Sequence, residues 1–270
     1  MIKITRTDVY GIVHAIHGMR NPRESWDRSD SPKQGCMTLN DWIGDNDKAL
    51  MMKLAKAGPE HAKYRRMIVV YCDILAPLYW WKHFDAYKIG TVANSTSSMH
   101  NLRDHEFTLD MFSHEHLTNI SLDDLRGTMS VLNFYRDLYL KEEDAERKKK
   151  WWWQMIQLLP SSYNQKRTVM SNYQVCAEQY RQRKAHKLDE WRVDYIKWIE
   201  SLPYSWIITG KDTVDEDLKQ QEEQRKPYEC VHYDFEKGVA VCSIEGNYGV
   251  INSEDYCHEC PMFEKENDNV

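Results

Sequence analysis

The chain has 270 residues, a formal charge of −6 and a pI near 6.0, with 41% hydrophobic and 29% charged residues. That composition is globular, and its mild acidity exerts no overall pull toward nucleic acid or anionic membrane. No apolar run reaches the ~18 residues of a membrane span, and MIKITRTDVYGIVHAIHGM lacks the charged-then-apolar layout of a secretion signal. The expectation is a soluble cytoplasmic protein whose seven cysteines, an odd number, do not pair as disulfides.

In chain order, residues 2 to 19 read as extended, with Val9, Ile12, Val13 and Ile16 among β-formers and Gly11 and Gly18 as punctuation. NPRESWDRSDSPKQG is a polar loop. GDNDKALMMKLAKAGP predicts a helix capped by Asp45 or Asn46, with Leu50, Met51, Leu54 and Ala55 on one face and Gly58-Pro59 as its stop. RMIVVYCDIL, 66 to 75, is apolar enough for a central strand, and APLYWWKHFDAYK then opens a helix with Pro77 in its first turn. GTVANSTSSMH follows, crowded with hydroxyls and without an acid, and reads either as a solvated turn or as the wall of a polar pocket.

From Ser121 the sequence turns helical. SLDDL resembles a capping box with Asp124 reaching back, and the helix runs to about Leu140. KKKWWWQMIQLLP is a second helix ended by Pro160, with Trp151, Trp152 and Trp153 too widely spread around it to share one core face. NQKRTVMSNYQVCAEQYRQRK and KLDEWRVDYIKWIESLP predict two more, the last with Leu188, Trp191, Tyr195, Trp198, Ile199 and Leu202 at helical spacing. The predicted organisation is a mixed α/β domain over 1–210 with a central sheet and a helix-rich second half, a charged linker or helix over 211–226, and a Cys-containing tail over 227–270. In the tail, Cys230, Cys242, Cys257 and Cys260 follow the spacing Cys-x11-Cys-x14-Cys-x-x-Cys, and DFEKGVAV reads as a hairpin between short strands. A segment so short gains from a metal staple, so a structural zinc is one reading, with His232 or His258 as substitute ligands. Free thiols on a docked hairpin and an iron–sulfur cluster are the others. The acidity of the tail argues against nucleic acid as its partner.

The order of these features resembles the flavin-dependent thymidylate synthases of the ThyX type. A helix ending in Gly-Pro precedes an apolar strand, Ala76-Pro77, an aromatic helix and Ala86-Tyr87-Lys88-Ile89-Gly90-Thr91. That last segment stands where the family has Arg-His-Arg-x-x-Ser. Asn94-Ser95-Thr96-Ser97-Ser98-Met99-His100 stands where it has Asn-Glu-x-Ser-x-Arg-Tyr, and Leu159-Pro160, Asn172 and Arg183 fall at the family's spacing. The resemblance spans roughly residues 20 to 205. It implies Ser97 as the hydroxyl beside the pyrimidine, with Asn94, Arg183 and His100 as substrate-binding residues. It implies Lys88, Thr91, Asn172 and His186 at the flavin, FAD as cofactor, a pyrimidine nucleotide such as dUMP as substrate, a folate as carbon donor and a homotetramer with sites between subunits.

The departures from the family pattern are Ala86 and Tyr87 for the first two basic residues, Ser95 for the Glu, Met99 and Ile156 for two arginines, Gln174 for a third and His100 for the Tyr. Bidentate guanidinium contacts to phosphate are not replaced by such side chains. Two functions are therefore carried forward: reductive one-carbon transfer to C5 of a pyrimidine nucleotide, and a catalytically inactive ThyX-fold binding or scaffold protein with a metal-binding tail. Each site residue also has a plainer reading: Ser97 as a turn serine, Arg183 as a helix C-terminal cation, His100 as a structural histidine, and His186 with Glu190 as an i, i+4 pair.

Overall fold

The computed structural model describes residues 1–32 and 43–211 in full and the backbone of two further strands, Tyr233–Glu236 and Val239–Cys242. The chain divides into two units, Met1–Gly210 and Lys211–Val270. In the first unit, β1 (Lys3–Tyr10), β2 (Val69–Pro77), β3 (Val92–Ser95) and β4 (Asn164–Asn172) form an antiparallel sheet in the order β1-β2-β4-β3. The strand expected at 66 to 75 is central, as its apolar run predicted. Its neighbour β4 lies in the first half of a stretch read as helix. The alternation in NQKRTVMSN decides that outcome: Gln165, Val169 and Ser171 are buried while Lys166 and Thr168 are exposed, a period of two that no helix satisfies.

The N-terminal reading is corrected in the same way. Only Lys3–Tyr10 is extended; Ile12–Arg20 is helix α1, burying Ile12, Val13, Ala15, Ile16 and Met19 at helical spacing. Gly11 makes the turn between them at φ 91°, where a Cβ would stand 2.3 Å from the carbonyl oxygen of Met67. Tertiary packing here overrides the β preference of Ile and Val.

Helix α2 (Asp45–Lys56) begins where expected, but its cap comes from elsewhere: the Asp30 carboxylate accepts the N–H groups of Asn46 and Asp47 at 2.9 and 3.1 Å. Asp47 is fully buried and accepts from Arg20 Nε at 2.6 Å, from the Ser29 hydroxyl at 2.7 Å and from the N–H of Ser31 at 3.1 Å. Burial alone would push its carboxyl up, but the hydrogen bonds from Ser29, Ser31 and Arg20 and the guanidinium charge together hold it below its ordinary value.

One sheet face is covered. Val70, Cys72, Ile74 and Ala76 of β2 lie there, along with the aromatic side chains of α3 (Leu78–Phe84) and the segment after α7 (Tyr173–Arg183). Trp80 stacks on Trp191 at 4.5 Å and on Phe84 at 5.3 Å, and meets Trp81 edge-on at 4.9 Å; all four rings are buried. The helix predicted over 187 to 203 is not a plain α-helix. Glu190–Tyr195 is π-helical and continues into α8 (Ile196–Glu200), and α9 (Trp206–Thr209) completes the unit.

A second core lies between α5 (Asn119–Lys141) and α6 (Ala145–Leu158), where Phe107, Phe112, Leu125, Leu132 and Met155 are buried. Trp151 and Trp152 pack against that core, while Trp153 stays 43% exposed. The capping box does not form: Thr118 is the N-cap of α5, with no side-chain bond to the helix N–H groups. Among the described residues no helix is long and apolar enough to cross a membrane. In the second unit, β5 (Tyr233–Glu236) and β6 (Val239–Cys242) pair antiparallel, which is the hairpin read from DFEKGVAV. Cys230, Cys257 and Cys260 lie outside the described residues, and Cys242 is described by its backbone alone.

Candidate functional site

The sequence-predicted residues fall into three groups held by different devices. The first is the turn after α3. Phe84 anchors its start in the aromatic core, and Tyr87 N–H returns to the Phe84 carbonyl at 3.0 Å. The Thr91 hydroxyl donates to the Tyr87 carbonyl. Gly90 adopts φ 82°, and its carbonyl accepts from Asn172 Nδ2 at 3.4 Å. Asn172 Oδ1 caps α7 by accepting from the N–H groups of Gln174 and Val175 at 3.0 and 3.1 Å. Lys88 is exposed and forms no ion pair among the described residues.

A Cβ on Gly90 would stand 2.8 Å from Asn172 Nδ2 and 3.0 Å from Val175. Gly90→Ala therefore combines a left-handed backbone with a clash against the α7 cap, and is expected to destabilise the protein by about 1–3 kcal/mol. Urea unfolding followed by circular dichroism checks this.

The second group is the hydroxyl-rich stretch. Thr96 N–H donates to the Lys166 carbonyl at 2.9 Å, and Gln165 Nε2 donates to the Thr96 carbonyl at 2.8 Å. Trp152 Nε1 donates to the Met99 carbonyl at 3.1 Å, tying α4 (Ser98–Asn101) to α6. Ser97 is the N-cap of α4: its Oγ accepts from His100 N–H at 3.2 Å, which leaves the hydroxyl proton to donate elsewhere. His100 is exposed. Asn94 lies on the other face of the sheet, in a row with Thr168, Asp73 and Thr5 of the neighbouring strands. Asp73, only 4% exposed, accepts from the Thr168 hydroxyl at 2.6 Å and pairs with Lys166 Nζ at 2.9 Å. The Thr168 hydrogen bond first, then Lys166, hold its carboxyl below the ordinary value.

The third group stands at the C-terminal end of α7, about 16 Å along the helix from Asn172 at 1.5 Å per residue. Arg183 Nε donates to the Tyr87 hydroxyl at 2.9 Å. Its guanidinium lies 5.4 Å from the Tyr87 ring centroid and 4.9 Å from that of Trp191. The Tyr87 hydroxyl in turn donates to Gln182 Oε1 at 2.7 Å. His186 Nδ1 accepts from Leu188 N–H at 3.1 Å, which places the proton of the neutral ring on Nε2. Burial first, then the charges of Arg183 and His83, lower its pKa below 6.5, so the ring is largely neutral at pH 7. Glu190 is buried and accepts from the Tyr79 hydroxyl, whose own pKa is pushed up by burial first and then by Glu190.

The turn at 85–91 thus joins Thr91, Asn172 and Arg183. Among the described residues no hydrogen bond, ion pair or ring contact joins the Asn94–His100 group to Arg183.

No protein-family profile matches the chain, and no curated protein sequence does. Solved structures do. The chain is similar to the thymidylate synthase ThyX from Helicobacter pylori, a structure with FAD and dUMP, at a TM-score of 0.54 and 15% identity, covering 78% of this chain and 98% of that one. The fold is that of the ThyX-type thymidylate synthases. The chain is also similar to the UMP/dUMP methylase PolB from Streptomyces cacaoi, bound with 5-Br dUMP, at a TM-score of 0.52 and 12% identity over 78% of this chain and 95% of that one. Both neighbours are covered over nearly their whole length, so the likeness is to their entire fold and not to a fragment of it.

On that ThyX framework, several residues of structural weight escaped sequence reasoning. Tyr87 stood out only as a departure from the family's basic segment, yet it binds Arg183. Trp191 was read as a core residue, and it is one, but its ring face also lies under the guanidinium. Gln165 and Trp152 fix the hydroxyl-rich stretch from β4 and α6; Gln165 had no local signal, and Trp152 stood out only within the tryptophan triple. Ile156 packs on the α5–α6 core, and Gln174 Nε2 donates to Glu178 at 3.0 Å, so both departures serve the fold. Among the described residues no three His, Cys, Asp or Glu side chains gather as a metal site.

Proposed function

We propose that the protein catalyses reductive one-carbon transfer to C5 of a pyrimidine nucleotide, dUMP or a close relative. FAD would supply the hydride and a folate the carbon. The observation that supports this most is the fold, shared with enzymes whose structures hold FAD and dUMP or a brominated dUMP and matched over nearly their whole length. Arg183 adds local support: it forms no ion pair with a carboxylate among the described residues and is flanked in sequence by Arg181 and Lys184. In this reading Ser97 donates its free proton to the base, while Asn94 and His100 line the same pocket and Arg183 meets the phosphate. Lys88 meets the flavin phosphates as a point charge, and His186 offers its Nε2 proton. Thr91 and Asn172 act through the turn they hold. Sites shared between subunits of a homotetramer bring the Asn94–His100 group of one chain to the Arg183 group of another.

A second reading has its own observation. Of the four residues assigned to the flavin, Thr91 and Asn172 have their polar groups engaged within the chain; outside those four, Ala86 stands where the family has a basic residue and offers no charge. That favours a ThyX-fold scaffold without chemistry, with the cysteine tail as a zinc-binding partner surface. Full-length protein mixed with FAD and desalted is expected to retain a flavin absorption band that dUMP perturbs. Colourless protein that also binds no dUMP overturns the catalytic reading and leaves the scaffold.

A further inference from the structure

The position of Arg183 is unusual in its details. A lone arginine at a helix C-terminus ordinarily extends into solvent, where its charge favours the helix dipole and nothing fixes its orientation. Here the side chain is only half exposed, and three groups fix it. The Tyr87 ring flanks the guanidinium at 5.4 Å and the Trp191 ring at 4.9 Å, the two rings standing 6.3 Å apart at 60°. The Tyr87 hydroxyl accepts from Nε, and its own proton goes to Gln182, so the donor and acceptor roles along the chain Arg183–Tyr87–Gln182 are set.

Both aromatic partners are themselves held. Tyr87 is tied through its carbonyl to the Thr91 hydroxyl and through its N–H to Phe84. Trp191 is fully buried in the π-helical turn and stacked on Trp80. Wide turns of this kind recur at functional sites, because they re-aim side chains that a regular helix would place elsewhere. Glu190 of that turn accepts from the Tyr79 hydroxyl, and among the described residues it forms no ion pair with Arg183.

With Nε taken, the edge of the fork left for a ligand is the pair Nη1 and Nη2. We infer that Tyr87 is a positioning residue: together with Trp191 it presents the Nη edge of Arg183, end-on, to a two-oxygen anionic group, the phosphate of the bound pyrimidine nucleotide. The inference rests on the function proposed above and adds the residue that orients its phosphate contact. A guanidinium immobilised beforehand loses less freedom on binding, and the end-on fork matches two phosphate oxygens.

The test separates phosphate recognition from base recognition. Calorimetric titrations of the full-length protein with dUMP and with deoxyuridine give the ratio of their Kd values, which reports the phosphate alone. Tyr87→Phe keeps the ring and removes the hydroxyl. It is expected to weaken dUMP about tenfold, the size of a lost hydrogen bond to a charged group, and to leave deoxyuridine binding unchanged. Arg183→Ala is expected to abolish the preference for dUMP. Deoxyuridine affinity serves as the control for folding, since a merely structural role would lower both affinities together; that result overturns the inference. A ratio unchanged in Tyr87→Phe overturns it as well, while leaving the pyrimidine-nucleotide reading in place. Wild-type protein that binds neither compound removes that reading. Inorganic pyrophosphate is then the probe: binding that weakens in Tyr87→Phe upholds the positioning role, and no such dependence overturns it.

Discussion

Asp47→Ala is expected to destabilise the unit Met1–Gly210 by about 3–5 kcal/mol, because it strands the Arg20 guanidinium in the interior. Arg20 is 4% exposed and Asp47 fully buried, so neither charge has water to fall back on. The carboxylate also gathers the Ser29 hydroxyl and the N–H groups of Asp30 and Ser31, and its loss leaves those donors unpaired. A domain of this size shifts by about 2–4 °C per kcal/mol, so differential scanning calorimetry should find a melting temperature lower by about 10 °C. Replacing both partners, Arg20→Met with Asp47→Leu, should recover much of the loss, since the damage comes from the unpaired charge. The pH dependence follows from the same pair. The folded pKa of Asp47 is lowered, so its contribution is present above the ordinary value of 3.8 and is lost as pH falls through the lower folded value. The variant should therefore show a shallower acid transition than the wild type.

Trp80→Ala is expected to cost about 3–5 kcal/mol through loss of ring contacts and the cavity left behind. Trp80 is fully buried and touches Trp81, Phe84, Trp191 and Tyr195, which makes it the centre of the layer between the sheet and the second-half helices. Trp80→Phe should cost much less, about 1–2 kcal/mol, because the indole Nε1 is buried without a hydrogen-bond partner among the described residues and its removal relieves a desolvation penalty. Guanidinium unfolding of the two variants, followed by far-ultraviolet circular dichroism, measures the difference. Equal losses would mean that the N–H is satisfied in solution, by water or otherwise.

How much could be read from residues alone depended on whether the deciding contact was local. RMIVVYCDIL announced a central strand because both of its neighbours are strands and an apolar run tolerates burial. The two long helices were read from a start signal near Ser121 and a stop at Pro160, and both form although the capping box does not. The stretch NQKRTVMSN did not look like a strand, because its covered face carries Gln165, Arg167 and Ser171 beside Val169, so burial alternates while apolarity does not. Ile12 to Ile16 misled in the opposite sense, since their burial against the turn at Lys63–Arg66 and α2 chose helix over a β-branched preference. In the site, order and spacing pointed to Asn172 and Arg183, but not to what holds them. Tyr87 lies 96 residues from Arg183, and Trp152 lies 53 from Met99. Pairings across such separations are written in the topology, and a single sequence carries no trace of them.

The π-helical turn at Glu190–Tyr195 bears on how this chain is compared with others of its fold. A turn bonded one residue wider takes in an extra residue for nearly the same rise along the axis. Such a turn is a place where a chain gains or loses a single residue while the helices on either side keep their seats. The buried Trp191 and Tyr195 stay in the core, and the surplus appears at exposed positions such as Val193. Residue correspondences carried past this point by counting alone are therefore out of step by one wherever the other chain lacks the wide turn, and the faces of α8 are better matched by burial than by number.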